Sequence, residues 1–139
     1  MAAKLTKVFV YGTLKPGEGN YQRLCFGRVV EEQEAYTFGE LYHLNPGYPG
    51  MTPGKNQVRG FVLTFPELEV LRDLDYLEDY NPQAPLEKNE YYRQEIEVYD
   101  LSGKSLGTAW AYFMTLAKVK QYQGRLLSSG FWHRYTTQN

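Results

Sequence analysis

Val8-Phe9-Val10-Tyr11-Gly12-Thr13-Leu14-Lys15-Pro16-Gly17 is an apolar run that breaks abruptly into a glycine-bearing turn. Residues Lys7 to Tyr11 carry apolar character on both faces, the pattern of a central strand covered on each side. A buried strand ending in such a turn leaves backbone N–H groups facing open space, where a small anion can collect them. The Gly12-x4-Gly17 spacing also opens a nucleotide phosphate loop. That motif needs Lys and Ser or Thr where this chain has Glu18 and Gly19, and a carboxylate there repels phosphate. Two readings of the turn stay open: a backbone anion nest and an ordinary tight turn.

Outward from this stretch, 139 residues suit one domain over 1–139, long enough to bury a real core. Fifteen Lys and Arg against sixteen Asp and Glu leave no global field toward nucleic acid or an anionic membrane, so function is expected from a local site. Thirteen tyrosines exceed what a minimal core needs, and the surplus is available to pocket walls. Cys25 is the only cysteine, which rules out an internal disulfide and a thiolate metal cluster and favours a reducing, cytoplasmic setting. No apolar run approaches the length of a membrane span, so no membrane partner is expected.

Along the chain, Asn20 is placed to cap a short helix over 21–26. Glu34 to Leu44 reads as one strand bent at Gly39. Asn45 to Gly54 carries three Pro-Gly dipeptides and reads as a stiff surface loop. Val58 to Phe65 is a strand in which Gly60 admits a close neighbour. Pro66 opens a helix to about Asp79 with an inward stripe of Leu68, Leu71, Leu74 and Leu77. Tyr91 to Tyr99 and Thr108 to Met114 form a hairpin, and Leu116 to Asn139 reads as mostly irregular, with Leu126 and Leu127 packed and the last four residues frayed.

Glu78 lies four residues after Leu74 and seven after Leu71, so on a helix it faces where the leucines face. An acid there costs desolvation and meets the unfavourable end of the helix dipole, and both effects push its pKa toward that of a useful general base. A salt bridge at a fraying helix end is the plainer alternative, and Asp75 and Asp79 compete for the role. Arg93 could pair a carboxylate, His43, His133 and Cys25 read as structural, and Trp110 and Tyr112 read as core.

Taken together, Val10-Tyr11-Gly12-Thr13-Leu14 with Lys15-Pro16-Gly17, Tyr48-Pro49-Gly50, Val58-x-Gly60-x-Val62, and Leu71-x-x-Leu74-Asp75-x-Leu77-Glu78 followed by Tyr92-Arg93 resemble the gamma-glutamylcyclotransferase-like family, which includes the gamma-glutamylamine cyclotransferases. Ser129-Gly130-Phe131-Trp132 resembles the ending of its bacterial branch. The resemblance implies an α+β fold, a small mixed β-barrel flanked by short helices. It implies an enzyme whose gamma-glutamyl substrate attacks its own side-chain carbonyl, releasing 5-oxoproline and an amine. Tyr11, Gly12, Thr13 and Leu14, with Pro49 and Gly50, would bind substrate, and Glu78 would be the catalytic acid–base group. No metal or cofactor is implied. A non-catalytic module holding a carboxylated metabolite in the same pocket, and a protein-interaction domain using the Pro-Gly loop, are the alternatives. The leaving amine and the oligomeric state are not readable from the sequence.

Overall fold

The computed structural model describes residues 5–133, apart from the side chain of Leu24. Strand β1 (Thr6–Val10) leads through a single π-helical turn at Tyr21–Cys25 to two long strands, β2 (Glu31–His43) and β3 (Pro49–Phe65). Helix α1 (Val70–Leu77) and a short 3-10 turn at Leu86–Lys88 precede the hairpin of β4 (Tyr92–Tyr99) and β5 (Ser105–Phe113). Helix α2 (Leu116–Gln121) and the two-residue β6 (Arg125–Leu126) follow. The sheet runs β3-β1-β5-β4-β2-β6, and the added β3–β2 pairing closes its first five strands into a barrel. The β1–β5 pairing is parallel and the others antiparallel, which makes the barrel mixed, as the resemblance implies.

Strand alternation divides β1 between two apolar clusters. Val8 and Val10 join Leu71 and Leu74 of α1, while Phe9 and Tyr11 join Ala109, Ala111 and Phe113 of β5. Gly60 sits where β3 passes β1, and a Cβ there would collide with the carbonyl of Val10. The close approach expected at Gly60 is therefore made by backbone.

The bend in β2 falls at the expected place, with the β2–β3 register shifting between Gly39 and Glu40. The Pro-Gly segment is not a loop throughout. Pro49 to Thr52 pair with His43 to Glu40, and only Asn45 to Tyr48 and the bulge at Pro53, Gly54 and Lys55 leave the ladder. A strand start and a bulge are the two places where a sheet tolerates proline.

Helix α1 is shorter than expected, because Pro66 to Glu69 form bends and turns before it starts, and Leu68 is consequently exposed. Asn20 does not cap a helix; its side chain donates to Thr13 Oγ1 at 2.8 Å. The segment read as irregular contains α2, started by Thr115, whose hydroxyl accepts from the Lys118 N–H. Leu127 packs against the cluster around Phe9, but Leu126 is exposed. The four C-terminal residues expected to fray lie outside the described residues. Among the described residues no helix is long and apolar enough to cross a membrane.

Candidate active site

Where β1 ends, the chain turns through Gly12 with Lys15 N–H donating to Gly12 O at 3.0 Å and Asn20 N–H to Thr13 O at 3.0 Å. Among the described residues the amides of Gly12, Thr13 and Leu14 engage no acceptor within the chain. These successive donors form one wall of a cavity of about 310 Å³. Pro49 lies so close to the turn that a Cβ on Gly12 would stand 2.5 Å from its Cγ. Glycine is what lets the two segments meet.

Tyr11, Gly12, Thr13, Leu14, Pro49 and Glu78 all line this cavity. Gly50 does not. It lies behind Pro49, buried against Met114, so its part is to let β3 pack. Two tyrosines fix the frame: Tyr11 donates to the carbonyl of Tyr112 at 2.7 Å, and Tyr91 to the carbonyl of Pro49 at 2.6 Å. Burial holds both phenols well above their usual range, so they act as donors.

Glu78 follows the last residue of α1, its N–H still donating to Leu74 O at 2.9 Å, before Asp79 turns into the left-handed region at φ 53°. That break keeps Glu78 on the leucine side. Its carboxylate makes no hydrogen bond or ion pair among the described residues. Burial first, and the nearby Glu90 second, push it up to about 7. Asp75, the competing acid, is engaged elsewhere: Arg93 grips it through two bonds of 2.8 and 3.0 Å, and Tyr112 donates to it at 2.6 Å. Asp79 lines the cavity but is exposed.

Sequence reasoning missed Glu90. It sits in a stretch without periodicity, after the proline-broken segment, and its N–H bonds Asp79 O at 3.2 Å, which brings it beside Glu78. Tyr48 donates to it at 3.2 Å and Tyr122 at 2.6 and 3.0 Å. His43 and Cys25 are structural: Trp132 Nε1 donates to His43 Nδ1 at 3.0 Å, and burial pushes the Cys25 thiol up to about 11, too high for a ready nucleophile. Among the described residues no group of acids, histidines and cysteines is placed to hold a metal ion.

Residues 8–134 match the family described as gamma-glutamyl cyclotransferase, AIG2-like. A Vibrio cholerae protein provisionally named gamma-glutamylcyclotransferase is 35% identical over 125 residues, 90% of this chain and 93% of its own. The gamma-L-glutamyl-butirosin B gamma-glutamyl cyclotransferase of Niallia circulans is 31% identical over 108 residues, 78% of this chain and 67% of its own. An AIG2-like protein of Mus musculus superposes with a TM-score of 0.68 over 97% of this chain and 98% of its own; at 22% identity, that likeness concerns the fold.

Proposed function

Because the chain belongs to the gamma-glutamyl cyclotransferase, AIG2-like family, we propose that its cavity turns a gamma-glutamyl compound into 5-oxoproline and a free amine, with Glu78 as the acid–base group. The observation that carries this reading is the recessed Glu78 carboxylate, without a partner among the described residues and raised to about 7, facing a wall of free amides.

The substrate α-carboxylate accepts from the amides of Gly12, Thr13 and Leu14. Its α-ammonium then lies toward Glu78, which takes one proton. The freed amine attacks the side-chain carbonyl, a new C–N bond closes the five-membered ring, and the old C–N bond breaks as Glu78 returns the proton to the leaving nitrogen. Folding an internal nucleophile over its target can supply roughly 7–11 kcal/mol of the barrier, and acid–base catalysis adds about 10²–10⁴-fold. A clamp and one proton carrier therefore suffice.

The test is 5-oxoproline release from gamma-glutamyl donors as a function of pH. Glu78 works as a base only when ionised, so kcat/KM is expected to rise with pH through an inflection near 7. Glu90→Gln is expected to move that inflection downward, because it removes the neighbouring negative charge. A flat profile between about pH 5.5 and 8.5 would assign the proton transfer to another group.

The clamp makes its own prediction. Gly12→Ala drives a methyl group into Pro49 and displaces one wall, so kcat/KM is expected to fall by roughly 10²-fold, with far-UV circular dichroism unchanged. Full activity in this variant would detach the turn from substrate binding.

A further inference from the structure

Three carboxylates, Glu78, Asp79 and Glu90, line the cavity, and no lysine, arginine or histidine does. The gamma-glutamyl unit offers no compensation, since its α-carboxylate and α-ammonium cancel. Its carboxylate goes to the turn amides and its ammonium to Glu78, leaving Glu90 with nothing of opposite sign in the site. No ion pair neutralises Glu90 among the described residues.

Glu90 is nonetheless held in a fixed place. Its backbone is tied to Asp79, and both its oxygens accept tyrosine hydroxyls. Tyr48 and Tyr122 cross edge to face at 6.4 Å. Burial pushes the Tyr48 hydroxyl up, and the hydrogen bond to Glu90 does the same for Tyr122, so both stay protonated and donate. An anchored carboxylate flanked by two electron-rich rings is the chemistry that recognises an ammonium group.

Resting on the cyclotransferase reading, we propose that the leaving amine carries a second positive charge, and that Glu90, framed by Tyr48 and Tyr122, binds this distal ammonium. The substrate class is the gamma-glutamyl conjugate of a diamine or polyamine. A leaving group bearing a carboxylate, such as an amino acid, brings a like charge into an already acidic cavity and is disfavoured.

The experiment compares kcat/KM for 5-oxoproline release from mono-gamma-glutamyl diamines of about three to five carbons, each beside its terminally N-acetylated form, with gamma-glutamyl-alanine as the carboxylate case. The best diamine conjugate is expected to exceed its acetylated form by about 10- to 100-fold, the range of a hydrogen bond to a charged group. Gamma-glutamyl-alanine should fall below both. That ratio should narrow as salt rises from about 0.05 to 0.5 M, and collapse toward one in Glu90→Gln. Where Glu90→Gln fails to fold, the wild-type ratio and its salt dependence decide. Equal turnover of charged and acetylated donors overturns this inference alone, as does a ratio that a folded Glu90→Gln leaves intact. Silence on every donor overturns it together with the cyclotransferase reading.

Discussion

Glu78→Gln is expected to lower kcat/KM for 5-oxoproline release by about 10²–10⁴-fold while the protein folds as before. The amide keeps the shape and hydrogen-bonding reach of the carboxyl group but carries no proton between the attacking and leaving nitrogens. Stability gives an independent readout with a definite sign. Glu78 titrates near 7 in the folded chain, above the about 4.3 of an unfolded one, so the native state binds its proton more tightly. The folded state therefore loses stability as pH climbs from the unfolded value through 7, and the loss persists above it. The glutamine variant escapes that loss, so at pH 8 its Tm should equal or exceed that of the wild type. An acid that stabilised its own fold through a salt bridge would give the opposite result. An activity loss below about tenfold would place the base elsewhere.

Trp132→Ala carries the largest expected cost in stability, about 3–5 kcal/mol. The indole is 1% exposed, in the cluster with Phe9, Leu41, Met51 and Phe113, and truncation empties the largest fully buried side chain of the fold. It also removes the donor to His43 Nδ1. The backbone carbonyl of Trp132 accepts from the buried Lys15 ammonium, which also lies 4.1 Å from the Phe131 ring. The 131–132 segment thus fastens the far end of the Gly12 turn to the barrel. Thermal unfolding should show a drop of about 10–15 °C. Trp132→Phe refills much of the volume but leaves His43 without its donor, and should cost about 1–3 kcal/mol. Equal Tm in wild type and Trp132→Ala would remove the segment from the core account.

The barrel and one wall of the site were legible because they lie on runs with a single pattern. Lys7 to Tyr11 is apolar without interruption, and β1 is indeed flanked on both sides, by β3 and β5. Glu78 is found by counting from Leu71 and Leu74, and that count survives because α1 is regular up to its last residue. Its early end was not legible: Pro66 fits a first helical position, yet bends through Glu69 delay the helix. Pro49 to Thr52 were hidden by their own prolines and glycines, whose turn chemistry outweighs a strand that only pairing with β2 reveals. Glu90 had no pattern at all. Its place depends on a backbone bond to Asp79 and on hydroxyls from Tyr48 and Tyr122, contacts between residues distant in sequence. The only available trace was the surplus of tyrosine.

The parallel junction of β1 with β5 has a kinetic consequence. Val8 pairs with Trp110, and Tyr11 bonds the carbonyl of Tyr112 across 101 positions, so the seam that closes the barrel joins the first strand to the last long one. Local hairpins, β2 with β3 and β4 with β5, can assemble early, whereas this seam bears the largest loop-closure entropy in the molecule. During synthesis β1 must wait, unpaired on that edge, until β5 has left the ribosome. Phe9, Val10 and Tyr11 are exposed for that interval, and the cavity they line comes into being only when the seam shuts. Folding and the assembly of the site are thus one late event.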